Sequence, residues 1–250
     1  MVFSQQQSPA KFLGGENELD AFISMEMVYP EKALKNDVEG TVTMNFHVLK
    51  NGKVGNAEIP KPVSEEIDAE ALRILHKTLW EPAREMGNPV ISTQQLSIKF
   101  SIRKYKKLCR KRGYKTPPLP ATKIDSSNKV YAVRNVHRAP KPEFKKAQSL
   151  SSFISENLKY PDAAFRKGIS GTVGLTFIVE PHGSASHIVV SDPLGGGCSQ
   201  EAVRILKKIP WKPGMKNGQA VRTRMTLEFD FRLPQNQDMQ YVPSNPNSAF

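Results

Sequence analysis

Cysteine is nearly absent from this 250-residue chain: Cys109 and Cys198 are the only two. They share no metal spacing and form no CxxC pair; an exported protein could join them, but a basic linker and a glycine loop are poorly suited to bridging, so two free or incidental thiols are expected. No stretch approaches the ~18 consecutive apolar residues of a membrane-spanning helix. Catalytic patterns are missing too. His47, His76, His137, His182 and His187 have no ligand spacing, and there is no nucleophile–base pair, no matched carboxylates and no nucleotide fingerprint. "PLGGGCSQEA" at 193–202 lacks the Lys-Ser/Thr pair of a phosphate loop and reads as a flexible lead-in to a helix. A helix start there would lower the pKa of the Cys198 thiol. The sequence argues against an enzyme and points to no cofactor and no metal.

Charge is lopsided rather than scarce. The formal net charge is +12, which suggests an acidic partner or surface. Its densest part is Arg103, Lys104, Lys106, Lys107, Arg110, Lys111, Arg112 and Lys115, with no acid among them. Such a run reads as a solvated linker, or as a dock for an acidic membrane surface. No aromatic platform stands beside it, so nucleic acid is not expected as a partner.

With 38% apolar and 24% charged residues the chain is globular in composition, and its length fits two ordinary domains. A duplication supports the second reading. Shifted by 131 positions, Leu19–Ile102 lies on Leu150–Leu233 without a gap. "YPEKALKNDVEGTV" at 29–42 answers "YPDAAFRKGISGTV" at 160–173, and Gly40/Gly171, Gly52/Gly183, Trp80/Trp211 and Gly87/Gly218 coincide. A solenoid repeats every ~20–50 residues, so these are whole domains.

Each copy carries the same pattern. An amphipathic helix near 17–27 precedes Tyr29-Pro30 and a further helical turn, for which Pro is suited at the first position. Val42, Met44, Phe46 and Val48 then alternate with polar residues, as Val173, Leu175, Phe177 and Val179 do, giving a strand with one buried face. Asn51-Gly52 predicts a two-residue type I′ hairpin, with His182-Gly183 in its place in copy two. The return strand spans about 53–60. Ser64 is the expected N-cap of a helix over about 65–78. Leu96, Ile98, Phe100 and Ile102, matched by Leu227, Phe229, Phe231 and Leu233, form the last strand. The expected fold is α+β: two tandem small domains, each a three-stranded antiparallel sheet with two helices packed on one face. Trp80 and Trp211 are expected in the cores. Tyr29 and Tyr160 either pack over the helix start or stand exposed as contacts.

The expected boundaries are 9–104 for the first domain, 105–128 for a basic, Pro-containing linker, 129–234 for the second domain and 235–250 for a polar disordered tail. "TPPLP" at 116–120 suits an extended segment, and "VYAVRNV" at 130–136 suits one more strand leading into copy two. "VFSQQQ" reads either as the remnant of a trimmed signal or as a polar N-terminus.

Taken together, "YPEKAL…EGTV…NGKV…AEALRIL…WEPA…LSIKFSI", and more closely "YPDAAFRKGISGTV…EAVRILKKIPWKPG…NGQAVR…TLEFDF", resemble the C-terminal domain of TonB, the energy transducer of Gram-negative bacteria. The resemblance implies a periplasmic module that grips outer-membrane transporters. In that family an extended transporter segment, the TonB box, adds as a strand to the domain's last strand, a form of β-augmentation. Carried over, the gripping strands are 95–102 and 226–233, with Gln95, Ser97, Lys99, Ser101, Thr226, Glu228, Asp230 and Arg232 flanking the peptide. The partner is then a TonB-dependent transporter or another periplasmic protein. Copy one departs from the pattern with Ala83 for Gly and Pro89 before its last strand. An alternative is a scaffold whose exposed edges pair with each other, giving a homodimer or a larger assembly.

Overall fold

The alternating strands and amphipathic helices read from the sequence fold into two compact units, Met1–Leu119 with Ser126–Asn128, and Pro120–Asp125 with Lys129–Phe250. The computed structural model describes residues 7–112, 123–125, 127–144 and 149–233. Expectations for residues 2–6 of "VFSQQQ", Lys115, "TPPLP" and the tail 235–250 lie outside the described residues.

In the first unit, helices α1 (Glu16–Glu26) and α2 (Glu31–Lys35) lead into β1 (Gly40–Val48), β2 (Val54–Glu58), α3 (Glu65–Lys77) and β3 (Ser92–Phe100). The sheet order is β2-β1-β3, antiparallel throughout. Val42, Met44, Phe46 and Val48 point into the core with Leu96, Ile98 and Phe100, as the period of two requires. Ser64 caps α3, its Oγ accepting from the Ile67 amide at 3.3 Å.

The second unit repeats this with α5 (Leu150–Asn157), α6 (Asp162–Arg166), β5 (Gly171–Val179), β6 (Ala185–Asp192), α7 (Cys198–Leu206) and β7 (Gln219–Phe231). Its core is built by the counterparts Val173, Leu175, Phe177, Val179, Phe229 and Phe231. Both tryptophans are buried, and each meets the matching phenylalanine of the first strand: Phe46–Trp80 at 5.3 Å and Phe177–Trp211 at 5.4 Å. Burying one such ring contributes about 1.5–3 kcal/mol.

The motif shared by both copies has a structural task. Tyr29 is buried, its hydroxyl donating to the Val38 carbonyl at 2.6 Å, and Tyr160 does the same to Ile169 at 2.5 Å. Each hydroxyl closes the turn between helix and first strand. Behind it, a Glu–Arg pair ties two helices together. Arg73 donates to Glu70 and to the Glu26 carbonyl at the end of α1; Arg204 donates to Glu201 and to the Asn157 carbonyl at the end of α5. Glu70 also accepts from the Val28 amide, and Glu201 from the Lys159 amide.

The hairpin after the first strand is not type I′. Only Gly52 has a positive φ; Asn51 does not, and the Gly52 amide donates back to the Leu49 carbonyl. This is a three-residue loop ending on a left-handed glycine. Glycine is needed because the Trp80 carbonyl lies 2.1 Å from where a Cβ would stand, and Trp211 lies 2.3 Å from the one at Gly183. The two-residue loops with positive φ at both positions are Met86-Gly87 and Asn217-Gly218.

The basic run also departs from the expected linker. Residues 102–112 form helix α4 (Ile102–Arg112), with Tyr105 buried in the first unit's core. "VYAVRNV" begins with strand β4 (Val130–Ala132) and continues into a 3₁₀ turn at Val133–Asn135.

Candidate functional site

A sheet of this kind ends in an edge whose backbone N–H and C=O groups can pair with another chain. In the first unit that edge is β3. All nine of its residues pair with β1, from Gly40↔Phe100 to Val48↔Ser92, and its other side has no strand partner among the described residues. Gln95, Ser97 and Lys99 project from it exposed to solvent. Gln95 Nε2 donates to Asn45 Oδ1 at 3.0 Å, and the Ser97 hydroxyl meets that of Thr43 at 2.9 Å. These contacts hold the outward face in register. Ile91, just before the strand, is 55% exposed.

In the second unit the corresponding edge is partly filled. Residues Thr223–Phe231 of β7 pair with β5, while on the opposite side β4 lies parallel, Val130↔Arg222, Tyr131↔Thr223 and Ala132↔Arg224. Upstream, Ile124 bridges Ala220, whose amide donates to the Lys123 carbonyl at 2.8 Å. Tyr131 anchors this segment: Lys129 Nζ and Lys216 Nζ stand 5.2 and 4.7 Å from its ring centre, and its hydroxyl donates to Asp125 at 3.2 Å. Beyond Arg224 the opposite side of β7, Met225–Phe231, has no strand partner among the described residues. Thr226, Glu228 and Asp230 are exposed along it, with Thr172 donating to Asp230 at 2.8 Å. A cavity of about 640 Å³ at this end is lined by Gly171, Asp230 and Arg232.

Two of the sequence-derived flanking residues lie off the strands. The first strand stops at Phe100, and Ser101 belongs to the start of α4, its carbonyl accepting from the Tyr105 amide. Ile102 opens that helix, where its amide donates to Glu39. Arg232 follows the end of β7 and pairs with Asp230 at 3.1 Å. Residues 95–102 are therefore strand only as far as Phe100.

The start of the covered edge rests on a charged cluster that sequence reasoning missed. Arg222 is buried and donates to both oxygens of the buried Glu180, at 2.9 and 2.8 Å. Ser186 donates to the same carboxylate at 2.6 Å, and its hydroxyl meets His187 Nδ1 at 2.9 Å. The matching positions in copy one are Leu49, Gly55, Asn56 and Ile91. All four changed, and comparing the copies column by column would have exposed the set.

Cys198 overturns an expectation. It does open helix α7, but it is fully buried, and burial pushes its thiol up rather than down. The glycine loop before it is packed, not flexible: Ala164 lies 2.7 Å from where a Cβ on Gly196 would stand.

Both copies match the family model described as Gram-negative bacterial TonB protein C-terminal, over residues 25–102 and 156–233, more than half of the chain. Among solved structures, the solution NMR structure of the Pseudomonas aeruginosa TonB C-terminal domain is similar at 24% identity and a TM-score of 0.29, covering 38% of this chain and 88% of that one. No curated protein sequence matches. With both segments in the same order as the two folded units, the chain belongs to the TonB C-terminal family and carries two tandem copies of its domain.

Proposed function

We propose that this protein grips extended peptide segments of outer-membrane transporters by strand addition to the last strand of each copy. The family is one of periplasmic, non-enzymatic modules that interact with TonB-dependent transporters. The observation that carries the finer reading is the open side of β3: nine consecutive residues paired, among the described residues, on one side only. An incoming strand there gains main-chain hydrogen bonds, while Gln95, Ser97 and Lys99 meet its alternate side chains.

Copy two takes a shorter segment, because β4 already occupies Arg222–Arg224 and leaves Met225–Phe231. The flanking charges differ as well. Lys99 makes copy one favour acidic segments, whereas Glu228 and Asp230 make copy two favour basic ones, with Arg232 moderating the second preference. The two copies thus act as two grips of unequal length and opposite charge preference.

The test is a titration of the full chain with an extended transporter-derived peptide, following backbone amides by NMR. The expected result is shifts across 92–100 and 225–231; no shift in either strand sinks strand addition. Exposed Ile91 beside the open edge favours a second reading, pairing of copy one's edge with that of another molecule. Sedimentation at rising concentration checks it, and a strict monomer discards it.

A further inference from the structure

Helix α4 sorts its residues by face. Ile102, Tyr105, Leu108, Cys109 and Arg112, at helical spacing, turn towards the first unit, where Tyr105 packs on Tyr29 at 5.4 Å. Arg112 fixes the far end: its guanidinium donates to the carbonyls of Met25, in the last turn of α1, and of Met27, just past it, at 3.0 and 2.9 Å. The remaining face is Arg103, Lys104, Lys106, Lys107, Arg110 and Lys111, all exposed. None of these six side chains has an ion pair or hydrogen bond among the described residues. Pairs three and four apart on this face repel one another. The fold therefore holds rigidly an all-cationic surface that an external anion would relieve.

Alongside runs a groove of about 730 Å³ lined by the apolar Val28, Pro30, Leu34 and Ile102, with the exposed Lys106 and Arg110 outnumbering its one acid, Glu31. An apolar lining with a cationic excess fits a molecule that is oily at one end and anionic at the other. Proteins that grip single-stranded nucleic acid add exposed aromatic rings for stacking to their charge, and the tyrosine of this helix is buried.

We propose that α4 is a docking surface for an anionic phospholipid membrane, seating headgroup phosphates on the six cations and the groove at the acyl boundary. It shares no residue with the strand edges and does not depend on strand addition. A membrane surface seated here would hold the first unit close to the bilayer mainly through charge, with a strong dependence on salt.

The experiment is co-sedimentation of the full chain with phosphatidylglycerol-containing vesicles, against pure phosphatidylcholine vesicles, in low and high salt. The test variant combines Lys104→Gln, Lys107→Gln and Lys111→Gln, all surface changes; circular dichroism checks the fold. Expected is binding to the anionic vesicles only, lost in high salt, and lowered on the order of 100-fold in the variant. Amide shifts on adding the transporter-derived peptide should be the same in both proteins, which separates membrane docking from the grip. Equal binding to neutral vesicles, an unchanged variant, full competition by soluble glycerophosphate, or tighter binding to a single-stranded oligonucleotide would each overturn it.

Discussion

Copies one and two share a frame and differ at one corner. The Tyr–carbonyl clip, the Glu–Arg tie, the Phe–Trp contact and the Gly–Trp backbone approach recur at matching positions. At the corner where the last strand begins, copy one has Leu49, Gly55, Asn56 and Ile91, while copy two has Glu180, Ser186, His187 and Arg222. The first set leaves Ile91 exposed beside an open edge; the second buries an ion pair beneath an edge already carrying β4. Duplication thus kept what holds the domain together and changed what governs access to its edge.

The largest effect is expected from breaking that corner. Arg222→Ala strands the Glu180 carboxylate in the interior, which costs about 3–5 kcal/mol. Changing all four positions of copy two to Leu, Gly, Asn and Ile should restore most of that loss, since a buried ion pair adds little over apolar packing. Denaturant unfolding with amide exchange of β5 and β1 as separate reporters checks both. If the fourfold variant stays as unstable as Arg222→Ala, the two corners are not interchangeable.

Next in size are the shared glycines. Gly52→Ala and Gly183→Ala each push a Cβ onto a tryptophan carbonyl at a positive φ, and each should cost at least about 2 kcal/mol. Equal losses in the two copies mark these contacts as common frame. A smaller, copy-specific loss is expected at Thr78. Its Oγ1 accepts from Trp80 Nε1 at 2.8 Å, while Ile209 holds its place in copy two and Trp211 Nε1 has no partner among the described residues. Thr78→Val should cost copy one about 1–3 kcal/mol by orphaning that indole N–H, read from thermal unfolding.

Local patterns in the sequence were legible where local physics decides. Alternation at 42–48 and 96–100 placed the sheet, and Ser64 placed its helix start to the residue. Helix α4 was hidden because seven of its eleven residues are charged; the apolar stripe through Ile102, Tyr105 and Cys109 is thin, and a basic run reads as solvent-exposed. The cover on β7 was hidden for another reason. Strand pairing between Val130–Ala132 and Arg222–Arg224 joins segments some ninety residues apart, and nothing in either segment names the other. Cys198 was misread because the helix-start effect on a thiol is smaller than the effect of complete burial.

Whether the cover limits copy two can be asked directly. The double variant Val130→Gly, Tyr131→Gly removes the ring that Lys129 and Lys216 hold and weakens the strand's preference for extension. Peptide-induced amide shifts should then extend from Met225 back to Arg222, and copy two's affinity should rise several-fold, bringing it towards copy one. Unchanged shifts would mean that β4 and the peptide do not share that side of β7.

The smallest effect is a pH dependence in copy two. In copy two, burial alone would raise the Glu201 carboxyl, but the hydrogen bonds from Arg204 and the Lys159 amide hold it below the ordinary carboxylate range. A carboxylate with a depressed folded pKa contributes stability that is present above its unfolded value, about 4.3, and is lost as pH falls through the folded value. The tie between α5 and α7 should therefore loosen only in acid, with the Lys159 amide resonance moving at a midpoint below about 4.3. Glu201→Gln should abolish that movement, because Gln cannot titrate, while leaving the helices in place at neutral pH. A midpoint at or above the ordinary value would show that Arg204 does not stabilise the charged form, and that the tie is held by the two backbone contacts instead.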